Sequence, residues 1–318
     1  MTACGGTQRH TVAKRHTSRS RAAKARGAGA PAPPAALAYR LLYQLPAPVQ
    51  DPASAGLGET RFVLLGGLTA ADTSSDQVIL GTGTSASVKA ALPNAQHDAQ
   101  AAVLGGQVYL FGGGQFAQYA HILAFDPGAD HVAVAGSLPA PASDVAVAGG
   151  PSTAYVVGGF DGVHWLNTVL AYTPHQPVHV LTHLPVPLRY AAAVVIGHEL
   201  LIAGGSTPTG ASRTIYRVDL ATGSVRALGR LPAPITHAGA GALDGEMYLV
   251  GGRGDVLTAR TSAVYGIDPV TGRIHVAGHL PKPLSDEAVV SASGHLLVAG
   301  GASADGTQAA VGELFPRG

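Results

Sequence analysis

Cysteine is all but missing from this chain of 318 residues: Cys4 stands alone. An intramolecular disulfide framework and a multi-cysteine metal site are therefore excluded. Charged residues make up only 12% and aromatics 5% of the chain, too little charge for a polyelectrolyte. No apolar run reaches the roughly 18 residues that a membrane-crossing helix requires. Several catalytic signatures are absent as well. There is no His-Glu-x-x-His helix, no P-loop, no Gly-x-Ser-x-Gly elbow and no calcium-loop pattern. What the chain has instead is 46% hydrophobic residues, 43 Gly and 22 Pro. That apolar share excludes whole-chain disorder. So much Gly and Pro disfavours long helices and suits short strands joined by turns, an all-β class.

The net charge of +1 averages two unlike regions. Residues 1–26 hold seven of the 20 Lys and Arg and no acid, whereas from residue 27 onward 13 basic residues face all 19 acidic ones. Residues 1–36, ending in an Ala-Pro stretch, are expected to be a disordered basic arm and linker, because they lack the apolar surface that offsets ordering entropy. Such an arm invites a nucleic-acid reading, but a solvated extension is the expectation and nucleic acid is not an expected partner. No apolar core follows the basic segment before Leu37, so no secretory signal is expected. A cytoplasmic location follows by default, and a start assigned elsewhere would reopen export.

From residue 37 a repeat takes over. A short apolar run ending in a Gly pair recurs six times, with first glycines at Gly66, Gly112, Gly158, Gly204, Gly251 and Gly300. A Leu-Pro marker keeps step at Leu45, Leu92, Leu138, Leu184, Leu231 and Leu280. Each unit divides into four strand-like pieces. In one of them these are Tyr190–Ile196, Glu199–Ala203, Arg213–Asp219 and Ser224–Leu228. The first piece of each unit is rich in small residues, as expected where strands converge on an axis.

Four apolar residues followed by a Gly pair, six times over, resemble the Kelch repeat family of β-propellers, to which the central domain of galactose oxidase also belongs. The resemblance spans residues 38–318. It departs from the family in lacking a tryptophan in the outermost strand, since Trp165 falls in a loop, and in keeping the family's tyrosine only loosely, as Tyr172, Tyr216 and Tyr265. The resemblance implies a six-bladed β-propeller of four-stranded antiparallel blades over residues 37–318. Only 17 residues follow Gly301, enough for a third strand but not a fourth. Residues 37–45 are thus predicted to complete the last blade beside 308–316, which removes an exposed edge.

Function on a shared fold sits in the loops. Position six past each Leu is polar: Asp51, Asp98, Asp144, Tyr190, His237 and Asp286. Position five gives Gln50, His97, Ser143, Arg189, Thr236 and Ser285. These are expected to ring the mouth of a central channel. A polar ligand or hard cation there is one reading, and carboxylates that simply fix their turns are the other. The loops after the Gly pairs vary and carry Phe116, Tyr119, Phe160, Trp165 and Arg253, residue types that anchor interfaces. Arg253-Gly254-Asp255 spells an adhesion tripeptide, but three residues in a Gly-rich chain carry no weight.

The leading expectation is a monomeric, non-enzymatic scaffold that holds a protein or peptide on its loop face, with no cofactor and no metal. The alternative is a carbohydrate-binding protein or an isomerase acting on a sugar at the channel mouth, since bacterial sialic-acid mutarotases resemble Kelch propellers too. In that case Asp98, His237 and Arg189 are the expected catalytic set. The resemblance to copper-radical oxidases carries no activity, because their cross-linked cysteine has no counterpart but Cys4.

Overall fold

The computed structural model describes residues 1–6 and 36–317. Most of the expected arm therefore lies outside the described residues. Strands dominate residues 36–317, and the one helical element there is a single 3-10 turn, Leu257–Ala259. Among the described residues no helix is long and apolar enough to cross a membrane.

The Phe62–Leu65 strand shows why the repeat reads as consecutive apolar residues rather than alternating ones. All four of its side chains are buried. Phe62 and Leu64 pack with Leu297, Ala299 and Val311 of the last unit, while Val63 and Leu65 pack with Val108, Leu110 and Leu123 of the next. A strand with neighbours on both faces has no solvent side, so the polar half of the usual alternation disappears. The core is accordingly divided among clusters lying between successive units, and the circle closes where the last unit meets the first.

Six separate four-stranded blades are expected, and the sheet topology corrects this. There are four four-stranded sheets, and the first two repeat units share one sheet of seven strands. The cause is local. After most Leu-Pro markers the strand ends, but Ala86–Leu104 runs on as one strand of 19 residues, turned at Asp98 by its left-handed backbone. The first part of that strand pairs with Ser75–Gly81, and the second part pairs with Gln107–Gly114. Gln96↔Ser75 links the two parts across a register shift.

Closure follows the sequence reading. Leu37–Gln44 lies antiparallel to Ala310–Pro316, from Leu37↔Pro316 to Gln44↔Ala310. Leu37 is 1% exposed within the cluster formed with Leu280, Val298 and Leu314. Arg40 faces Glu313 across the ladder and forms an ion pair with it. Because Arg40 is largely exposed, Arg40→Ala is expected to cost less than about 1 kcal/mol in urea denaturation. A larger loss would show that the pair, rather than the apolar strand face, holds the ends together.

The Gly pair itself joins consecutive units. Gly112 has φ 62° and Gly113 has φ 86°. The Gly113 N–H donates to the Ala142 carbonyl of the next unit at 2.8 Å, and a Cβ on Gly112 would fall on that same oxygen. Equivalent bonds run Gly67 to Gln96, Gly159 to Leu188, Gly205 to Ile235, Gly252 to Leu284 and Gly301 to Val49. The last of these ties the end of the chain to its beginning.

Candidate functional site

Two residues beyond each of those carbonyls stands the residue at position six. All six have left-handed backbone: Asp51 (φ 51°), Asp98 (57°), Asp144 (59°), Tyr190 (50°), His237 (55°) and Asp286 (60°). Asp and His are among the residues that tolerate this region; tyrosine is not, and its occupancy costs on the order of 1 kcal/mol. The turn thus explains part of the polarity of these positions.

These residues form a closed hydrogen-bonded ring. The N–H groups of Asp144, Tyr190, His237, Asp286 and Asp51 donate to the carbonyls of Asp98, Asp144, Tyr190, His237 and Asp286, at 2.7–3.2 Å. The sixth link differs: the Asp98 N–H donates to the Asp51 carboxylate, Oδ2, at 2.8 Å. The neighbouring position-five residues pair with the residue after each Gly pair, as in Gln50↔Leu68, Arg189↔Ser206 and Thr236↔Arg253. Both loop sets therefore emerge together, as the sequence predicts.

Inside the ring is a cavity of about 110 Å³, lined by all six ring residues and by Glu287. It has room for several waters. Beyond it, small residues of the innermost strands, such as Ala55, Ala101, Ala148 and Ala240, line the continuing channel.

The two sides of the ring differ electrostatically. Asp144 has a side chain only 1% exposed and pairs through Oδ2 with Arg189 Nε. Burial, together with the facing Asp98, nevertheless raises its pKa to about 7. Burial also lifts Asp51, reinforced by the charges of Asp98 and Asp286. It raises Asp286 too, against the pull of the Ser285 hydroxyl and of Arg253 and Arg260. Ser285 Oγ donates to Asp286 Oδ2 at 2.6 Å and accepts from Arg260 Nε at 2.9 Å. Tyr190 is shifted upward by burial and the nearby carboxylates, so it stays a neutral phenol.

His237 departs from the acid–base expectation. Its ring stacks on Tyr190 at 3.8 Å between centroids. Arg253 Nη2 lies 3.0 Å from Nε2, and Thr236 Oγ1 lies 3.0 Å from Nδ1. Guanidinium only donates, so Nε2 accepts and Nδ1 carries the proton. Burial and the adjacent Arg253 lower the pKa to about 3. The imidazole is therefore neutral, with both nitrogens engaged. His97, the other histidine considered, bonds Ser74 Oγ through Nδ1 at 2.9 Å and places Nε2 3.5 Å from Asp98 Oδ2.

The loop aromatics separate into two groups. Phe160, Trp165 and Tyr190 surround the Arg189 guanidinium, at 4.7, 4.8 and 5.3 Å from the ring centroids. Phe160 and Trp165 thus pack against a half-buried arginine while staying partly exposed themselves. Tyr119 packs against His121, while Phe116 stands 96% exposed. Arg253 is committed to His237, and Asp255 accepts the Ala211 N–H, so the adhesion tripeptide is tied down at both ends.

Sequence reasoning missed Glu287. It is 6% exposed, its Oε2 has no partner among the described residues, and burial raises its pKa to about 8. One signal was available. Position seven past the Leu reads Pro52, Ala99, Val145, Ala191 and Ala238 elsewhere, and only here is it an acid.

No family model matches the chain, and no curated protein matches it. Among solved structures, that of YjhT is similar, with TM-score 0.73 over 86% of this chain and 95% of that one, at 16% identity. A likeness at that identity speaks to fold. The chain is an all-β propeller.

Proposed function

We propose that this chain is a Kelch-type six-bladed propeller whose axial mouth binds a small polar molecule. The six-fold count is supported by the six Gly-pair bonds and the six-membered hydrogen-bonded ring. The seven-stranded sheet is then two blades sharing one long strand. The observation that carries the ligand reading is the cavity of about 110 Å³ inside that ring, lined by Asp51, Asp98, Asp144, Tyr190, His237 and Asp286. A concave site with several convergent polar groups is the ordinary form of a small-molecule site.

Asp98→Gly separates ligand binding from turn formation, because glycine keeps the left-handed backbone and deletes the carboxylate. A thermal-shift screen of monosaccharides, amino acids and amines is expected to find a stabilising compound for the wild type and to lose its effect in Asp98→Gly. If no small polar compound shifts the melting temperature, the reading fails.

An isomerase reading keeps only Asp98 as a proton-transfer group, since Arg189 and His237 are engaged elsewhere. The protein or peptide reading rests on exposed apolar loop tips, namely Phe116, Val163 at 75% and Leu257 at 59% exposed. Under that reading Phe116→Ser abolishes capture of the partner and leaves the melting temperature unchanged.

A further inference from the structure

On one side of the ring, like charges meet a single cation. The Asp98 carboxyl stands within hydrogen-bonding reach of the Asp144 carboxyl, and it also reaches that of Asp51. Arg189 Nε donates to Asp144 Oδ2, while Asp144 Oδ1 receives no donor among the described residues. The Asp144 side chain is almost wholly buried, so solvent screens these charges little.

Two carboxylates held this close do not both stay ionised, because each raises the proton affinity of the other. A proton on the pair also supplies a donor that the surrounding residues do not. Burial, then the charge of Asp98, raises Asp144 to about 7, against the pull of Arg189 and the Tyr190 hydroxyl. His97 faces the pair as well, with Nε2 3.5 Å from Asp98 Oδ2. Burial lowers its pKa, so it charges at more acid pH than Asp144.

Arg189 links this pair to the loops. Its guanidinium packs on the rings of Phe160 and Trp165, at 4.7 and 4.8 Å from their centroids, and on Tyr190. An ionised Asp144 holds the guanidinium through a charge-assisted bond, whereas a protonated one leaves it to the weaker hold of the aromatic faces. His237 stacks on Tyr190 but stays neutral, lowered by burial, Arg253 and Arg189.

We propose that Asp98, Asp144 and Arg189 form a pH-sensitive switch at the channel mouth, in which ionisation of the carboxyl pair seats Arg189 on the ring and protonation loosens it. Phe160 and Trp165 pack on the same guanidinium, so the change reaches the loop face. The switch does not depend on the small-ligand reading.

Trp165 is the only tryptophan in the chain, and its fluorescence tests the switch. In the full chain, titrated between about pH 5 and pH 9, its emission is expected to change with a midpoint near pH 7. Asp144→Asn, which tolerates the left-handed backbone, is expected to abolish the transition. Asp98→Asn removes the like charge and is expected to lower the midpoint by about one pH unit or more. His164 precedes Trp165 and lies 3.3 Å from Asp161, and imidazole changes charge in the same range. His164→Gln is therefore the control, and the transition is expected to survive in it. Circular dichroism establishes that each variant is folded, and if Asp144→Asn is not, the midpoint of Asp98→Asn decides. A flat wild-type titration overturns the switch. So does a transition that survives Asp144→Asn, one that disappears in His164→Gln, or a midpoint that Asp98→Asn leaves in place.

Discussion

Gly112→Ala is expected to lower stability by about 2–5 kcal/mol, whereas Gly105→Ala is expected to cost about 1–2 kcal/mol. The two glycines have nearly the same backbone, φ 62° and φ 60°. Each substitution therefore carries the same left-handed penalty of about 1–2 kcal/mol. Their surroundings differ. Nothing lies within 4 Å of a Cβ on Gly105, but at Gly112 the Cβ would fall on the Ala142 carbonyl oxygen. Relieving that clash pushes the units apart and breaks the 2.8 Å bond from Gly113, leaving a buried carbonyl unsatisfied at about 1–3 kcal/mol. Urea midpoints of the two variants decide the matter. Equal losses would mean that the Gly pair is kept only for its turn and plays no part in joining the units.

Glu287→Gln is expected to stabilise the protein at pH 8 by on the order of 2–4 kcal/mol and to have little effect at pH 4. The sign follows from proton counting. In the unfolded chain the carboxyl titrates near its ordinary value of about 4.3, and in the fold burial raises it to about 8. Between these values the native state holds a proton that the unfolded state has lost, so stability falls as pH rises through this window. Asp144, raised to about 7, adds to the same slope, and the upward shifts of Asp51 and Asp286 act in the same direction. The wild type should thus be more stable at pH 5 than at pH 8, contrary to a protein held together by ionised carboxylates. The glutamine amide keeps the shape of the side chain and removes its titration, so the pH dependence should flatten. An unchanged slope in the variant would place the source among the aspartates.

How much of this was visible beforehand differs from residue to residue. The period, the strand pieces and the pairing of Leu37–Gln44 with the last strand were all legible. They depend on local turn chemistry and on counting residues. The polar ring was also legible, because position six repeats, but its cause was not. Nothing in one sequence shows that these residues share a left-handed backbone and a chain of N–H to carbonyl bonds. The merging of two units into a seven-stranded sheet escaped notice because Leu92-Pro93 looks like every other Leu-Pro, yet the strand there runs on. The packing of Arg189 against Trp165 and Phe160 was not legible, since the residues lie on different loops. The engagement of His237 was hidden likewise, as Arg253 lies 16 residues away and on another loop.

The ladder between Leu37–Gln44 and Ala310–Pro316 joins residues about as far apart in the chain as any in the fold. During synthesis Leu37–Gln44 emerges before Ala310–Pro316 and must wait unpaired until those residues leave the ribosome. Its partner does not yet exist, so the intervening units have to assemble as an open arc. Joining residues so distant in the chain is entropically slow, and open edges invite association with other chains. A nascent chain stalled before residue 310 should therefore be sensitive to proteolysis in the 37–44 segment, and emergence of residues 310–316 should protect it.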